Sequence, residues 1–240
     1  GALKAFHNKY NVPVIPGVEV TTKEGMHILL YFYNVGDLED FYIHHLKDSK
    51  DKHPYMTTNI KITDLFEISD KYHCIVSAAH PHSPTRMGLK TAIKRGYVSK
   101  SASNNIAAVE AICGSHPNFM NQKSSKWAWE LDKPVTGGSD AHTVLELGRI
   151  VSYAKADDYK EFLTRVIARQ NFVIGKEPNA SDHFVQFLSK LYKHMHYPGS
   201  AIKSKYHSVL KNTLKHHIPK IKEKIKKPFN KSLEDDARIV

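Results

Sequence analysis

Apolar residues fall in short runs, separated by longer stretches in which they recur every three or four positions. Val12 to Val20 reads as a buried strand entering a turn, with Gly17 just ahead of Glu19. Met26 to Tyr33 is a second strand, too continuously apolar to be half exposed. Gly36 to about Lys47 predicts a helix. Another follows from Ile62 to about Tyr72, with Ile62, Leu65, Phe66 and Ile68 on one face. Cys74 to Ala79 is a short strand that stops at His80 and Pro81. Arg86 to Lys94 predicts a helix, Ala107 to Ile112 a strand, and Gln122 to Leu131 a helix. Pro134 to Thr136 is a strand running into Gly137, Gly138, Ser139, Asp140, Ala141 and His142. Arg149 to Tyr153 and Phe172 to Ile174 are further strands around a helix from Asp157 to Arg169.

Strand and helix thus alternate with short connections. Near-continuous apolar strands argue for a parallel sheet covered by helices, and an α/β barrel is its natural closed form. A flavodoxin-like open sheet is the competitor, but no Gly-rich phosphate loop follows the first strand.

Composition narrows the class. With 41% hydrophobic residues in 240, the chain has material for a real core, which excludes global disorder. No run of about 18 apolar residues exists, so no transmembrane helix is expected. The first ten residues read as an amphipathic helix with lysines, without the apolar core and cleavage site of a signal peptide. Two cysteines, Cys74 and Cys113, make neither a disulfide framework nor a four-cysteine zinc site; they read as buried thiols in a reducing cytoplasm.

The formal net charge of +11 is uneven. Ser181 to Val240 holds thirteen basic and five acidic residues. The shift falls near Glu177 and Pro178, which places a compact domain at 1–178 and a basic helical extension at 179–240. In the extension Leu210, Leu214, Ile218, Ile221 and Ile225 recur at helical spacing among lysines, with Tyr192, Tyr197 and Tyr206 near its start. Such a face fits nucleic-acid phosphates or an anionic membrane, or a solvated helix whose apolar stripe packs on the domain.

Sixteen histidines are the unusual number, and several lie at strand ends. Glu19 ends the first strand, His27 opens the second, His80 ends the third, and Asp140 and His142 follow Thr136. In barrels, functional residues gather at the C-terminal ends of strands. A mixed carboxylate and imidazole set of this kind suits zinc, manganese or iron. Asp140 and His142 are two apart and point the same way if the backbone is extended. Gly17, Ala78, Ala79, Gly137, Gly138 and Ser139 leave room near the backbone. His82 is a weaker candidate. A solvated helix face explains His7, His44 and His45.

At these residues the sequence resembles the PHP (polymerase and histidinol phosphatase) family. The matching stretches are Ile15 to Val20, Met26 to Phe32, Ala79 to Pro81 and Gly138 to His142. Val109 to Ala111 and Asn121 resemble the segment between the family's last two motifs. The resemblance covers about residues 1–175 and implies a distorted (β/α)7 barrel with two or three divalent metals at its strand ends. It implies that Glu19 is a bridging carboxylate, His27 and His80 middle ligands, and Asp140 and His142 the last pair. The family's opening His-x-His strand and early Asp-His have no counterpart here, so an N-terminally incomplete barrel is expected.

The function this implies is phosphoester hydrolysis by a metal-activated water. Asp140 and His80 are the catalytic candidates, with Arg86 pairing the remaining phosphate charge and His82 a weaker proton donor to the leaving group. The substrate is a phosphorylated metabolite, a nucleotide or an oligonucleotide end. The alternative is a non-catalytic scaffold whose basic extension binds nucleic acid.

Overall fold

The computed structural model describes residues 9, 12–49, 57–84 and 88–175. The basic extension expected at 179–240, the candidate Arg86, and all but Lys9 of the N-terminal helix lie outside the described residues.

Among the described residues there are seven strands and five α-helices. The strands are β1 (Gly17–Thr21), β2 (His27–Phe32), β3 (Cys74–Ala78), β4 (Ala108–Cys113), β5 (Val135–Gly138), β6 (Ile150–Tyr153) and β7 (Phe172–Gly175). The helices are α1 (Val35–Phe41), running into a π-helical turn at Tyr42–Leu46, then α2 (Ile62–Ser69), α3 (Leu89–Lys94), α4 (Asn118–Glu130) and α5 (Tyr159–Ile167). The first strand starts later than the apolar run suggests. Pro13 and Pro16 have no N–H to give a ladder, and pairing begins where the Pro16 carbonyl accepts from Phe32 N at 2.8 Å.

Five strands form one sheet in the order β1-β2-β3-β4-β5, and β6 and β7 form a second, antiparallel pair. The five-stranded sheet is mixed, not parallel throughout. β3, β4 and β5 run parallel, while β2 is antiparallel to both β1 and β3. The reason is the short β1–β2 connection, since only an antiparallel pair can be joined by a tight turn. Thr22 closes that turn, donating its N–H to Met26 O at 2.8 Å and receiving Met26 N at Oγ1. Gly25 takes the φ of +93° that the turn requires.

The sheet's two faces are unlike. Ile28, Leu30 and Phe32 on β2 are fully buried, and pack with Phe41, Leu46, Leu65, Phe66, Leu89 and Trp127 from the helical layer. Truncating Leu30 to Ala would cost about 2–5 kcal/mol. The alternate residues His27, Leu29 and Tyr31 are only half-buried, so β2 alternates where its composition suggested burial on both faces. At the β3 and β4 starts, Leu163 of α5 covers Ile75 and Ala108, and Tyr159 Oη donates to Tyr33 O at 3.1 Å. Asp158 caps α5 by accepting from the Lys160 and Glu161 amides. The opposite ends of the parallel strands are left for polar residues. No helix among the described residues is long and apolar enough to cross a membrane.

Candidate metal centre

Glu19 of β1, His27 of β2 and His80 just past β3 converge, with one donor atom from each within 4.8 Å of the others. Register explains it: Glu19 pairs with Leu29, and Thr21 with His27, so Glu19 and His27 sit diagonally across the hairpin on one face. Because β2 runs antiparallel, its first residue lies beside the last residues of β1 and β3. His27 Nδ1 lies 2.5 Å from Glu19 Oε1, and His80 Nε2 lies 3.6 Å from the same oxygen. Burial would raise the Glu19 pKa, but its bonds to His27 and His80 prevail and hold it well below the usual carboxylate range. His80 is 4% exposed. Burial pushes its pKa down, which keeps the ring neutral with a lone pair to give.

His80 takes a φ of +27°, in the left-handed region where a non-glycine residue is strained. The Glu110 carboxylate accepts from its amide at 2.8 Å. Gly88 seals the turn from the other side: a Cβ there would lie 2.3 Å from the Pro81 carbonyl oxygen.

A second group adjoins the first. Cys113 at the end of β4, His116 in the following loop and Asp140 after β5 also bring three donor atoms within 4.8 Å. The His80 and His116 rings stack with centroids 5.3 Å apart, so the two groups share a wall. Ser115 Oγ donates to Asp140 Oδ2 at 2.5 Å, and His116 Nδ1 lies 3.2 Å from Cys113 Sγ. Burial, then the charges of Glu110 and Asp140, pushes the Cys113 thiol well above its ordinary pKa. Asn121 of α4 fixes the end of β4, accepting from Cys113 N at 3.0 Å.

Asp140 and His142 are not on extended backbone. Asp140 has a φ of +45°, and the pair meets through a turn, with His142 Nδ1 at 2.8 Å from Asp140 O and 3.8 Å from its Oδ1. The bond to a carbonyl puts the proton on Nδ1 and leaves Nε2 its lone pair. Glu146 accepts from the amides of His142 at 2.5 Å and Thr143 at 2.8 Å. Burial would raise the Glu146 pKa, but these bonds outweigh it and lower it.

His82 does not join the cluster. It faces the helical layer, 3.3 Å from Ser124 Oγ and edge-on to Trp127. Burial, then Lys90 and Lys123, pushes its pKa down to about 4. His44 pairs with Asp40 and His45 with Tyr72, away from both groups. Cys74 is only part-buried and lies elsewhere, 3.6 Å from Ser69 O.

Cys113, His116, Glu110 and Glu146 are absent from the set read from sequence. The strand-end rule that selected Glu19 and His80 also applies to Cys113, Ser115 and His116, which follow β4 directly. The donor chemistry fits divalent cations: carboxylate, imidazole and thiol atoms gathered at one rim. Buried His80 Nδ1 lacks a hydrogen-bond partner and Nε2 has only the 3.6 Å contact with Glu19, a cost that a bound cation removes.

A family model described as PHP-associated matches residues 119–171, the stretch from α4 through the Asp140–His142 loop to the start of β7. The match takes in 53 of the 240 residues and supports the resemblance to the PHP family. Solved structures resemble the chain in fold. An endonuclease Q bound to a 27-mer duplex with an abasic lesion at the active site aligns with a TM-score of 0.51 and 17% identity, covering 68% of this chain and 42% of that one. Endonuclease Q from Pyrococcus furiosus aligns at 0.50 and 18%, with coverage of 68% and 42%. A two-domain protein from Bacteroides vulgatus containing a predicted PHP-like metal-dependent phosphoesterase aligns at 0.49 and 13%, covering 79% of this chain and 53% of that one. The chain therefore spans about half or less of the length of these three proteins. No curated protein matches its sequence.

Proposed function

We propose that the chain carries the metal-binding part of a phosphoesterase site. The observation that carries this reading is the meeting of Glu19, His27 and His80 beside Cys113, His116 and Asp140, with His80 buried among them. In this reading Glu19, His27 and His80 hold one divalent ion, and Asp140, His142, His116 and Cys113 hold another. When bound, such ions neutralise phosphate charge and lower the pKa of water towards neutrality.

The residues of the chain do the rest. Glu19 stays ionised to low pH, so it presents an anionic oxygen throughout the working range. His80 stays neutral and presents a lone pair. Ser115 Oγ donates to Asp140 Oδ2 and so fixes the rotation of that carboxylate at the rim. No protein nucleophile is assigned: divalent ions, held by these two residue groups, would supply the charge that grips the phosphate. Arg86, six residues beyond His80, is proposed to meet the remaining phosphate charge. The substrate class is a phosphorylated small molecule or a nucleic acid. The endonuclease Q complex with duplex DNA is the reason to include oligonucleotides among the substrates tried.

The test is elemental mass spectrometry on chain stripped by chelator and reloaded with zinc, manganese or iron. A hydrolysis assay on p-nitrophenyl phosphate and its bis ester runs in parallel. Stoichiometric metal with metal-dependent release supports the reading. Near-zero occupancy with every metal refutes it for this chain.

A further inference from the structure

Two carboxylates stand behind the candidate ligands, and the proposed chemistry uses neither. Glu110 projects from the middle of β4 and is buried. Glu146 lies on the short 3₁₀ turn Val144–Glu146 and is 3% exposed. A buried carboxylate is costly unless bonded, and each is bonded to the same kind of group. Glu110 Oε2 takes the amide of His80, and Glu146 Oε2 takes the amides of His142 and Thr143.

Glu110 holds a strained residue itself, and Glu146 holds the two residues that lie two and three places beyond one. His80 has a φ of +27° and Asp140 a φ of +45°. Neither is glycine, so each turn needs compensation from its surroundings. Charge-assisted bonds from a backbone N–H to a carboxylate are among the stronger ones a fold has. Glu110 reaches the ligand of the neighbouring strand β3, whereas Glu146 reaches back four residues to its own loop. Gly138 shows how closely Glu110 is fitted: a Cβ there would lie 3.0 Å from Glu110 Oε1. Thus Glu110 lies between the tip of β3, which carries His80, and the tip of β5, which leads to Asp140.

We propose that Glu110 and Glu146 are paired positioning residues, each using a buried carboxylate to fix the main chain of one histidine ligand, His80 and His142 respectively. This rests on the metal-site reading above. Each brace adds negative charge behind a cation site, and each turns its histidine through the backbone instead of the ring. Neither carboxylate is itself a ligand in this assignment. The ring nitrogens stay available because the amide, not the imidazole, is the anchored group.

The experiment uses the full chain with Glu110→Gln, Glu146→Gln and Glu146→Ala, and it has two independent readouts. In metal-free protein, ¹⁵N–¹H spectra report the amides of His80, His142 and Thr143. Bonding to a carboxylate places them downfield, and each Gln variant should move only its own partners upfield. In cobalt-loaded protein, the visible spectrum reports ligand geometry and titration reports affinity. Glu146→Ala should weaken cobalt binding by on the order of 10–100-fold, the scale seen for residues that orient ligands. Glu146→Gln keeps an acceptor oxygen and should recover most of that loss, with a ligand-field spectrum close to wild type. A purely structural role would lower thermal stability in all variants without changing the cobalt spectrum of the folded fraction, and that result overturns the proposal. Wild-type affinity in Glu146→Ala overturns it as well. If Glu146→Ala does not fold, the two Gln variants carry both readouts. Should wild-type chain bind no cobalt while the amide shifts behave as expected, the metal-site reading fails and the braces stand as backbone anchors only.

Discussion

The two ligand groups share a wall at the His80 and His116 rings and differ in how they are built. Glu19 and His27 are strand residues, placed by the register of a hairpin, and Glu19 is 40% exposed. Cys113 ends a strand, but His116, Asp140 and His142 sit in loops, placed by turns, by Ser115 and by Glu146. The first group offers oxygen and imidazole nitrogen; the second adds a thiol. A sheet can therefore supply half a metal centre from alternation alone, while the other half needs local polar bonding to hold irregular backbone in place.

The comparison predicts that both halves are needed. His80→Ala in the first group, and Asp140→Asn in the second, should each reduce metal-dependent phosphate release by at least about a thousandfold, with cooperative thermal unfolding retained. Undiminished turnover in either variant would remove that half from the site. Gly88→Ala alters no ligand but forces a methyl group onto the Pro81 carbonyl. It should destabilise the chain by about 1–3 kcal/mol, as overpacking does, and lower metal occupancy at the first group only. Equal loss at both groups would show that they are one rigid unit. Cys113→Ser exchanges a soft donor for a hard one, so zinc affinity should fall about tenfold or more with manganese affinity little changed. A parallel fall for both metals in competition titrations would erase the distinction between the groups.

The smallest effect concerns His82, which the fold turns away from both groups. Its folded pKa of about 4 lies below the ordinary 6.5. Between those values the unfolded chain binds a proton that the folded chain does not, so stability rises with pH across this window and is lost as pH falls through it. His82→Gln should flatten the dependence of melting temperature on pH from 6.5 down to about 4. An unchanged slope would mean that the loss on acidification comes from elsewhere.

Much of this site is legible in the sequence, for a physical reason. Glu19 and His80 each follow an apolar run, and a charged or polar residue at the end of a buried strand stands out. Cys113 does not, because cysteine counts with apolar residues and extends the β4 run instead of ending it. His116 then falls in a turn before Pro117, where surface histidines are common. The β1–β2 hairpin was hidden by Leu29 and Tyr31, which are apolar yet line the half-buried face. Alternation is invisible when both faces take hydrophobic residues. The left-handed turn at Asp140 leaves no trace in composition either, since aspartate tolerates that conformation without announcing it. The family model's match at residues 119–171 takes in Asp140 and His142 but neither Cys113 nor His116.

The hairpin also sets an order of events. Glu19 and His27 are only eight residues apart and already in contact, so closing the β1–β2 turn brings them together on the timescale of hairpin formation, microseconds. His80 lies beyond α1, α2 and β3 in the chain, so bringing it to the pair closes a much longer loop and is the slower step. During folding, a carboxylate and one imidazole thus form a weak two-point trap long before the third ligand appears. A cation caught there early would favour the state in which β3 docks against β2, so the rate of refolding should increase with metal concentration before native affinity is reached.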